Sequence, residues 1–210
     1  MSLTLFGSPY STFTWSARMA LAEKGVAYDL APAALRSPEY TALHPYQKMP
    51  VLKHDDFVVY EALAVMRYVD EAFEGPALQP VTAAGRAQMM QWASAYGDYV
   101  APHAVRGVLI PRFVLAGRGI PVDDAAVHKA AAKARLHLLP FERALGESAF
   151  LSGDSPSFAD WLLAPTIASG NGLSGEDRYA DNLPNLAAWF GRIVARPSFA
   201  ATIPTSGPGR

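Results

Sequence analysis

Ser11 is the residue of this chain whose position best suits chemistry on an anion, because a predicted strand ends just before it and a predicted helix begins there. The first backbone N–H groups of a helix are unpaired and carry a partial positive charge, which lowers the pKa of a nearby thiol from its usual value of about 8.5. A hydroxyl in this place can also donate a hydrogen bond to a thiolate, which favours the ionised form. Serine commonly caps a helix here instead. The phenol of Tyr10 is the nearest rival donor.

Two further segments could hold an extended ligand beside Ser11. Pro50 opens a predicted strand, and since proline has no N–H, the backbone beside it stays outside the ladder. An exposed strand edge binds an extended peptide through main-chain hydrogen bonds, which the preceding Met49 would supply. Glu61 begins the third predicted helix, where its carboxylate complements the helix dipole and can accept a hydrogen bond from a ligand ammonium. An ordinary first-turn glutamate would show the same pattern.

The composition excludes several other kinds of site. The chain has 210 residues, 18 basic and 19 acidic, with a net charge of -1 and no basic run, which argues against nucleic acid and anionic lipid as partners. No targeting segment or membrane span is evident, so we expect a soluble cytoplasmic protein. The chain contains no cysteine, and its five histidines show no metal-ligand spacing. No metal is therefore expected, and any thiol chemistry must belong to a ligand.

The elements that must position these residues follow from the hydrophobic pattern. Residues 3–6 and 26–30 are predicted strands on either side of a helix that ends at Lys24-Gly25. Residues 50–53 and 57–60 are predicted to form a hairpin, and a helix follows from residue 61. The order βαβ–ββα is thioredoxin-like, with a mixed sheet.

A second, all-helical domain is predicted after a linker rich in proline and glycine. The predicted divisions are a first domain at residues 1–76, a linker at 77–85 and a helical domain at 86–210. Helical patterns cover roughly residues 83–108, 123–145, 157–169 and 184–195, and the tail after Arg196 is expected to be unstructured. Ser157 and Asp160 are spaced as a capping box, for which we expect a purely structural role.

Five segments in this order resemble those of the cytosolic glutathione transferases. They are STFTWSARMAL from Ser11, the Met49-Pro50 pair with Glu61, Phe150 to Gly153, the capping box, and Leu183 to Pro197. The first segment is similar to that of serine-type, bacterial-like members, and it also resembles the zeta-type isomerases. Together the matches cover nearly the whole chain.

The resemblance implies that glutathione is the cosubstrate and that Ser11 activates its thiol. It also implies that the Met49–Pro50 bond is cis and that Met49 pairs with the cysteinyl part of glutathione. Glu61 and the residue after it would hold the γ-glutamyl end, but the family's serine is replaced here by Ala62, which removes one hydroxyl. Lys48 would reach the glycyl carboxylate, although it could equally be a solvated surface lysine. His44 is a weaker candidate for the same site.

The second substrate is expected between the domains, over Ser11. Its pocket would be lined by Tyr10, Phe13 and a helical stripe, Tyr96, Tyr99, His103 and Arg106, although most such stripes only pack. The resemblance also implies a homodimer, with Arg67 as a contact. The predicted reaction conjugates glutathione to a small hydrophobic electrophile or reduces a hydroperoxide. The alternatives are a maleylacetoacetate-type isomerase and a non-catalytic protein that binds glutathione or another ligand.

Overall fold

Four strands form a mixed sheet in the order β2-β1-β3-β4 within residues 2–205, the part of the chain that the computed structural model describes. They are Leu3–Phe6 (β1), Asp29–Ala31 (β2), Val51–His54 (β3) and Phe57–Tyr60 (β4). Strand β2 runs parallel to β1, whereas β3 is antiparallel to both β1 and β4. The thioredoxin-like arrangement predicted from the sequence is thus confirmed.

Strand β2 starts at Asp29, later than the predicted Val26. The reason is local. The backbone N–H of Val26 donates to the carbonyl of Leu21 at 2.9 Å, so Val26 still belongs to the turn that closes the preceding helix.

Three helices belong to the sheet unit: α1 (Thr12–Glu23), α2 (Pro38–Leu43) and α3 (Ala62–Ala72). Helix α1 ends at Lys24-Gly25 as predicted, and Gly25 takes a left-handed conformation with φ 66°, which glycine adopts without strain. Apolar side chains of the sheet, α1 and α3 form a buried cluster: Leu3, Leu5, Ala17, Leu21, Leu52, Val65 and Val69.

The segment after α3 is fastened by a buried ion pair. Lys24 Nζ lies 3.2 Å from Asp70 Oδ1, with side chains that are 4% and 8% exposed. The same carboxylate accepts hydrogen bonds from the backbone N–H of Leu78 at 2.9 Å and from the side chain of Gln79 at 3.0 Å. The ion pair and the hydrogen bonds compensate both buried charges. They also attach the start of the predicted linker to α3 and to the end of α1.

Residues 83–205 form the helical unit. Its elements are α4 (Ala83–Ala95), a π-helical extension of α4 (Tyr96–Val100 and Pro102–Leu115), a 3-10 turn (Ala116–Arg118), α5 (Asp124–Leu145), α6 (Phe158–Gly170), a second 3-10 turn (Gly175–Asp177), α7 (Pro184–Val194) and α8 (Pro197–Thr202). Helix α4 therefore begins inside the predicted linker. Among the helices of residues 2–205, none combines the length and the apolar character needed to cross a bilayer.

Helix α6 lies in the centre of this unit and begins with the predicted capping box of Ser157 and Asp160. The fully buried Asp160 carboxylate accepts hydrogen bonds from the N–H groups of Ser157 (2.8 Å) and Leu151 (3.1 Å) and from the indole of Trp189 (2.8 Å). Burial raises the pKa of Asp160, while these donors act in the opposite direction. One carboxylate thus joins α6 to the preceding loop and to α7.

The prediction of an unstructured tail after Arg196 is wrong for residues 197–202. Residues 197–202 form α8, which packs on α1, and the Phe199 ring lies 5.3 Å from that of Trp15. Glu23 accepts hydrogen bonds from Arg196 at 2.6 and 2.8 Å and a short one from Ser198. The partners lie far away in sequence, so no local pattern could reveal this helix. Residues 206–210 lie outside the described part of the chain.

Candidate active site

The candidate site lies at one edge of the sheet, where four connections meet. Ala31, Phe6, Val51 and Tyr60 stand opposite one another in a row across β2, β1, β3 and β4. Because β3 is antiparallel to the other three strands, its first residue lies at the edge where the others end. Neighbouring strands are about 4.8 Å apart, so the ends of β1 and β4 are separated by about 10 Å. The residues just beyond this row include Ser11, Met49 and Glu61.

Ser11 caps helix α1, and this role leaves its proton available. The side-chain oxygen accepts a hydrogen bond from the Thr14 N–H at 3.3 Å, and the Ser11 N–H donates to the carbonyl of Ser8 at 3.1 Å. A hydroxyl has two lone pairs and one proton, so capping with a lone pair does not prevent donation to a ligand. The two roles that the sequence left as alternatives are therefore compatible.

Gly7 lets the start of α1 approach the end of β1 closely. A Cβ atom at Gly7 would lie 2.4 Å from Oγ1 of Thr14, well inside van der Waals contact. Tyr10, between these elements, is 36% exposed, and its backbone N–H donates to the Ser8 hydroxyl at 3.3 Å. Its phenol stays the alternative prediction for the donor to a thiol.

The Met49–Pro50 peptide bond is cis. The pairing of β3 with β1 and β4 begins at Val51, so the backbone of Met49 lies beyond the ladder. Pro50 is buried and Met49 half-buried, whereas the Lys48 side chain is exposed. The Lys48 carbonyl accepts a hydrogen bond of 2.7 Å from the Tyr40 phenol, which fastens this loop to α2.

Glu61 occupies an unusual backbone position at the start of α3. Its φ is +71° and its ψ 121°, a region that costs a residue other than glycine about 1–3 kcal/mol. Its side chain makes no capping hydrogen bond and is exposed, so the carboxylate is presented at the sheet edge. Ala62 is the first helical residue, and its N–H is one of the unpaired groups of the helix start. Ala62 is 4% exposed and packs in the core.

His44 lies beneath the end of β4. Its ring is stacked on Tyr60 with centroids 4.5 Å apart, and it is only 1% exposed. Burial lowers the pKa of His44, with an opposing effect of the Glu61 carboxylate and a smaller lowering effect of Lys48. A ring in this place can support Tyr60 and Glu61, but it offers little surface to a ligand.

Comparisons with known proteins identify the family. The model of the glutathione S-transferase N-terminal domain matches residues 1–71, and that of the C-terminal domain matches residues 102–197. Over 210 residues and 97% of each chain, the protein is 30% identical to glutathione S-transferase F9 of Arabidopsis thaliana. The chain belongs to the glutathione transferase family.

Solved structures agree with this assignment. The theta-class glutathione S-transferase of Xanthomonas axonopodis pv. citri, solved with glutathione bound, has a TM-score of 0.87 and 25% identity, covering 98% of each chain. Glutathione S-transferase III in its apo form has a TM-score of 0.85 and 28% identity, covering 99% of this chain and 100% of its own. The protein is thus a glutathione transferase enzyme.

In this glutathione transferase the predicted stripe of the second-substrate pocket does not lie on one face. Tyr96 is 1% exposed and belongs to the core, where its ring meets that of Phe13 at 5.9 Å. Tyr99 and His103 instead lie against His137 of α5, with ring centroids at 5.8 and 5.2 Å. The spacing assumed an α-helix, but the π-helical extension has wider turns, which rotate these residues apart.

Arg106, the last member of the stripe, is exposed.

Leu35, which was not predicted from the sequence, is a further candidate for the pocket wall. It is 44% exposed and follows β2, whose end lies at the same sheet edge as that of β1. The parallel β1–β2 pair was the signal that could have revealed it.

A second concave surface lies between α3 and α4. One cavity of about 530 Å³ has Arg67, Glu71, Gln79, Arg86 and Met90 among its lining residues. An adjoining cavity of about 300 Å³ is lined by Glu61, Leu63, Ala64, Arg67, Met90 and Phe158. We call these residues the α3–α4 face. Within residues 2–205 no three metal-ligating side chains lie together.

Proposed function

We propose that this enzyme uses the thiolate of glutathione to attack a small hydrophobic electrophile. The observation that carries the proposal is the convergence of Ser11, Met49 and Glu61 on one sheet edge. An extended tripeptide is about 10–11 Å long, which matches the separation of about 10 Å between the ends of β1 and β4.

The proposed pose follows from the charges and the unpaired backbone. The cysteinyl part of glutathione pairs with the Met49 backbone, which directs the thiol toward Ser11. The ammonium group of the γ-glutamyl residue binds the Glu61 carboxylate. The carboxylate of the same γ-glutamyl residue accepts a hydrogen bond from the Ala62 N–H at the start of α3. Lys48 attracts the glycyl carboxylate, while His44 supports Tyr60 from below.

Thiolate formation supplies the rate gain in this proposal. A thiol with a pKa of about 8.5 is about 3% ionised at pH 7, whereas a pKa of about 6.5 would leave about three quarters ionised. The Ser11 hydroxyl donates to the sulfur, and the first N–H groups of α1 add their positive potential. The thiol proton leaves to solvent, a bond forms between sulfur and carbon, and the leaving group departs with its electron pair.

The electrophile would lie over Ser11, between Tyr10, Phe13 and Leu35, with Tyr99, His103 and Arg106 farther along the helix. A hydroperoxide could take the same place: sulfur would attack the peroxide oxygen, the O–O bond would break and the alcohol would leave. A second glutathione would then react with the sulfenic acid to yield the disulfide and water. The similarity of residues 11–15 to zeta-type enzymes favours a maleylacetoacetate-type isomerase as the second candidate. The third, a non-catalytic binding protein, is favoured by Ala62 alone.

A homodimer through the α3–α4 face is also proposed, with Arg67 at the contact. This face is concave and mixes apolar and charged side chains, as interfaces between subunits do. We expect the enzyme in the cytoplasm.

Titration of glutathione into the protein near neutral pH, followed by the ultraviolet absorbance of the thiolate, tests the function. A saturable thiolate signal is the expected result. Binding without thiolate would favour the binding protein, and no binding would overturn the proposal. Turnover of maleylacetoacetate without net loss of glutathione would identify the isomerase.

A further inference from the structure

The first turn of helix α1 packs against Tyr96, a buried residue of the helical unit. The hydroxyl of Tyr96, at the start of the π-helical extension, shares a hydrogen bond of 2.7 Å with Oγ1 of Thr166 on α6. The Phe13 ring meets the Tyr96 ring edge-on. The buried Thr12 hydroxyl approaches the same phenol without completing a regular hydrogen bond. Both residues that follow Ser11 therefore lie against Tyr96.

The Tyr96 phenol keeps its proton at every working pH. Burial raises the pKa of Tyr96 to about 12, while its hydroxyl partners act in the opposite direction. The group cannot exchange a proton with a thiol near neutral pH, and its burial keeps it away from substrate. What it can do is hold the first turn of α1 in one orientation through Thr12 and Phe13.

We propose that Tyr96 is a positioning residue for Ser11, which orients the first turn of α1 toward the sulfur of glutathione. The inference rests on the proposed role of Ser11 in thiolate formation. The stabilisation of a thiolate by a hydroxyl and by helix N–H groups depends on their direction, so a small rotation of this turn weakens it. Tyr96 acts from the core, through the residues that follow Ser11.

Tyr179 offers a matched control in the same buried group of hydroxyls. It is also 1% exposed, and its phenol donates a hydrogen bond of 2.7 Å to the Thr166 carbonyl. A Cβ atom at Gly170 would lie 2.5 Å from the phenol oxygen of Tyr179, so this ring packs closely against the end of α6. Its hydrogen bond to Thr166 and its close approach to Gly170 both involve α6. Removing its hydroxyl removes a hydrogen bond to α6 but keeps the Phe13–Tyr96 ring contact and the Tyr96–Thr166 hydrogen bond.

The test compares Tyr96→Phe with Tyr179→Phe by titrating the thiol of bound glutathione against pH. We expect Tyr96→Phe to raise the thiol pKa by about half a unit, the effect of one weakened hydrogen bond. Its kcat should fall about 1.5-fold at pH 7 and about threefold at a pH well below the thiol pKa, and it should recover at higher pH, with the KM for glutathione within about twofold. Tyr179→Phe should lower the melting temperature and leave the thiol pKa unchanged.

If Tyr96→Phe folds poorly, a second pair of variants tests the same positioning role. Thr166→Val removes the partner of the Tyr96 phenol and should reproduce the higher thiol pKa, whereas Thr166→Ser keeps a hydroxyl and should restore the wild-type value. An unchanged thiol pKa in both Tyr96→Phe and Thr166→Val, or an equal shift in Tyr179→Phe, would overturn the inference. A wild-type protein that binds glutathione without forming thiolate overturns the proposed function itself, and the positioning role with it.

Discussion

The indole N–H of Trp15 donates a hydrogen bond of 3.0 Å to Oγ1 of Thr202, which joins the first helix of the chain to the last. At the other end of α1, Glu23 binds Arg196. The helix that would activate the thiol is therefore held at both ends by the C-terminal segment.

This contact predicts a measurable coupling between Trp15 and Thr202. Thr202→Val should lower the free energy of unfolding by about 1–2 kcal/mol, because it leaves a buried indole N–H without a partner. In a double-mutant cycle with Trp15→Phe, urea unfolding should give a coupling energy of about 1 kcal/mol. Additive effects of the two substitutions would show that the bond contributes nothing to stability.

Ser11→Ala should lower turnover by about 10- to 100-fold with little change in glutathione affinity, because the hydroxyl acts on the thiolate and not on the peptide. It should also cost about 0.5–2 kcal/mol of stability through the lost cap. Thr82→Ala is the control, since Thr82 caps α4 by accepting from the Gly85 N–H at 3.0 Å. Steady-state kinetics and thermal melts separate the two effects. Equal turnover in Ser11→Ala and wild type would assign the donor role to another group, with Tyr10 tested next.

Ala62→Ser should tighten glutathione binding by about 2- to 10-fold, the effect of one regained hydrogen bond of about 0.5–1.5 kcal/mol. Isothermal titration calorimetry measures it directly. The Ala62 methyl group packs in the core, so a serine hydroxyl must turn toward the ligand to have this effect. A lower melting temperature with unchanged affinity would show that the hydroxyl faces the core instead.

His44→Phe should make the free energy of unfolding less dependent on pH in the acidic range. Burial lowers the pKa of His44, so between its folded pKa and the unfolded value of about 6.5 the unfolded chain binds more protons. Stability is therefore complete above about pH 6.5 and decreases as the pH falls below it. Phenylalanine keeps the stack on Tyr60 and removes the titration. The stability of this variant relative to wild type should rise from pH 7.5 to pH 5.5.

Urea unfolding at several pH values provides the measurement. His44→Asn also removes the titration but loses the stack, so it should be less stable at each pH while showing the same reduced pH dependence. A difference between His44→Phe and wild type that stays constant with pH would contradict the assignment.

Met90→Glu should convert the proposed dimer to a monomer. Met90 is 42% exposed and lines both cavities of the α3–α4 face, so a two-fold contact would bury a carboxylate from each subunit. Sedimentation velocity should show twice the chain mass for wild type and the single mass for the variant. Val194→Glu, on α7 with 43% exposure, is the control and should remain dimeric. Wild type sedimenting at the single mass would rule out the dimer.

Elements with local signals could be predicted closely. Strands β1 and β4 begin and end where the pattern placed them, α1 ends at Lys24-Gly25, and the capping box at Ser157 is formed. In each case the sequence signal lies within a few residues of the element that it predicts. The sequence contains two prolines and two glycines within residues 97–111, but it does not predict that this segment is π-helical with wide turns. Helical spacing therefore misplaced Tyr96 and His103.

By itself the sequence determined which residue types stand at the strand ends and helix starts: Ser11, Met49-Pro50 and Glu61. It also determined, through the absence of cysteine, that any reacting thiol must come from a ligand. Only the tertiary structure decided that these segments share one sheet edge, that the tail becomes α8, and that Tyr96 lies beneath α1. The sequence signals for strand ends and capping boxes lie between neighbours along the chain, whereas these features depend on contacts between residues far apart in sequence, which no local pattern records.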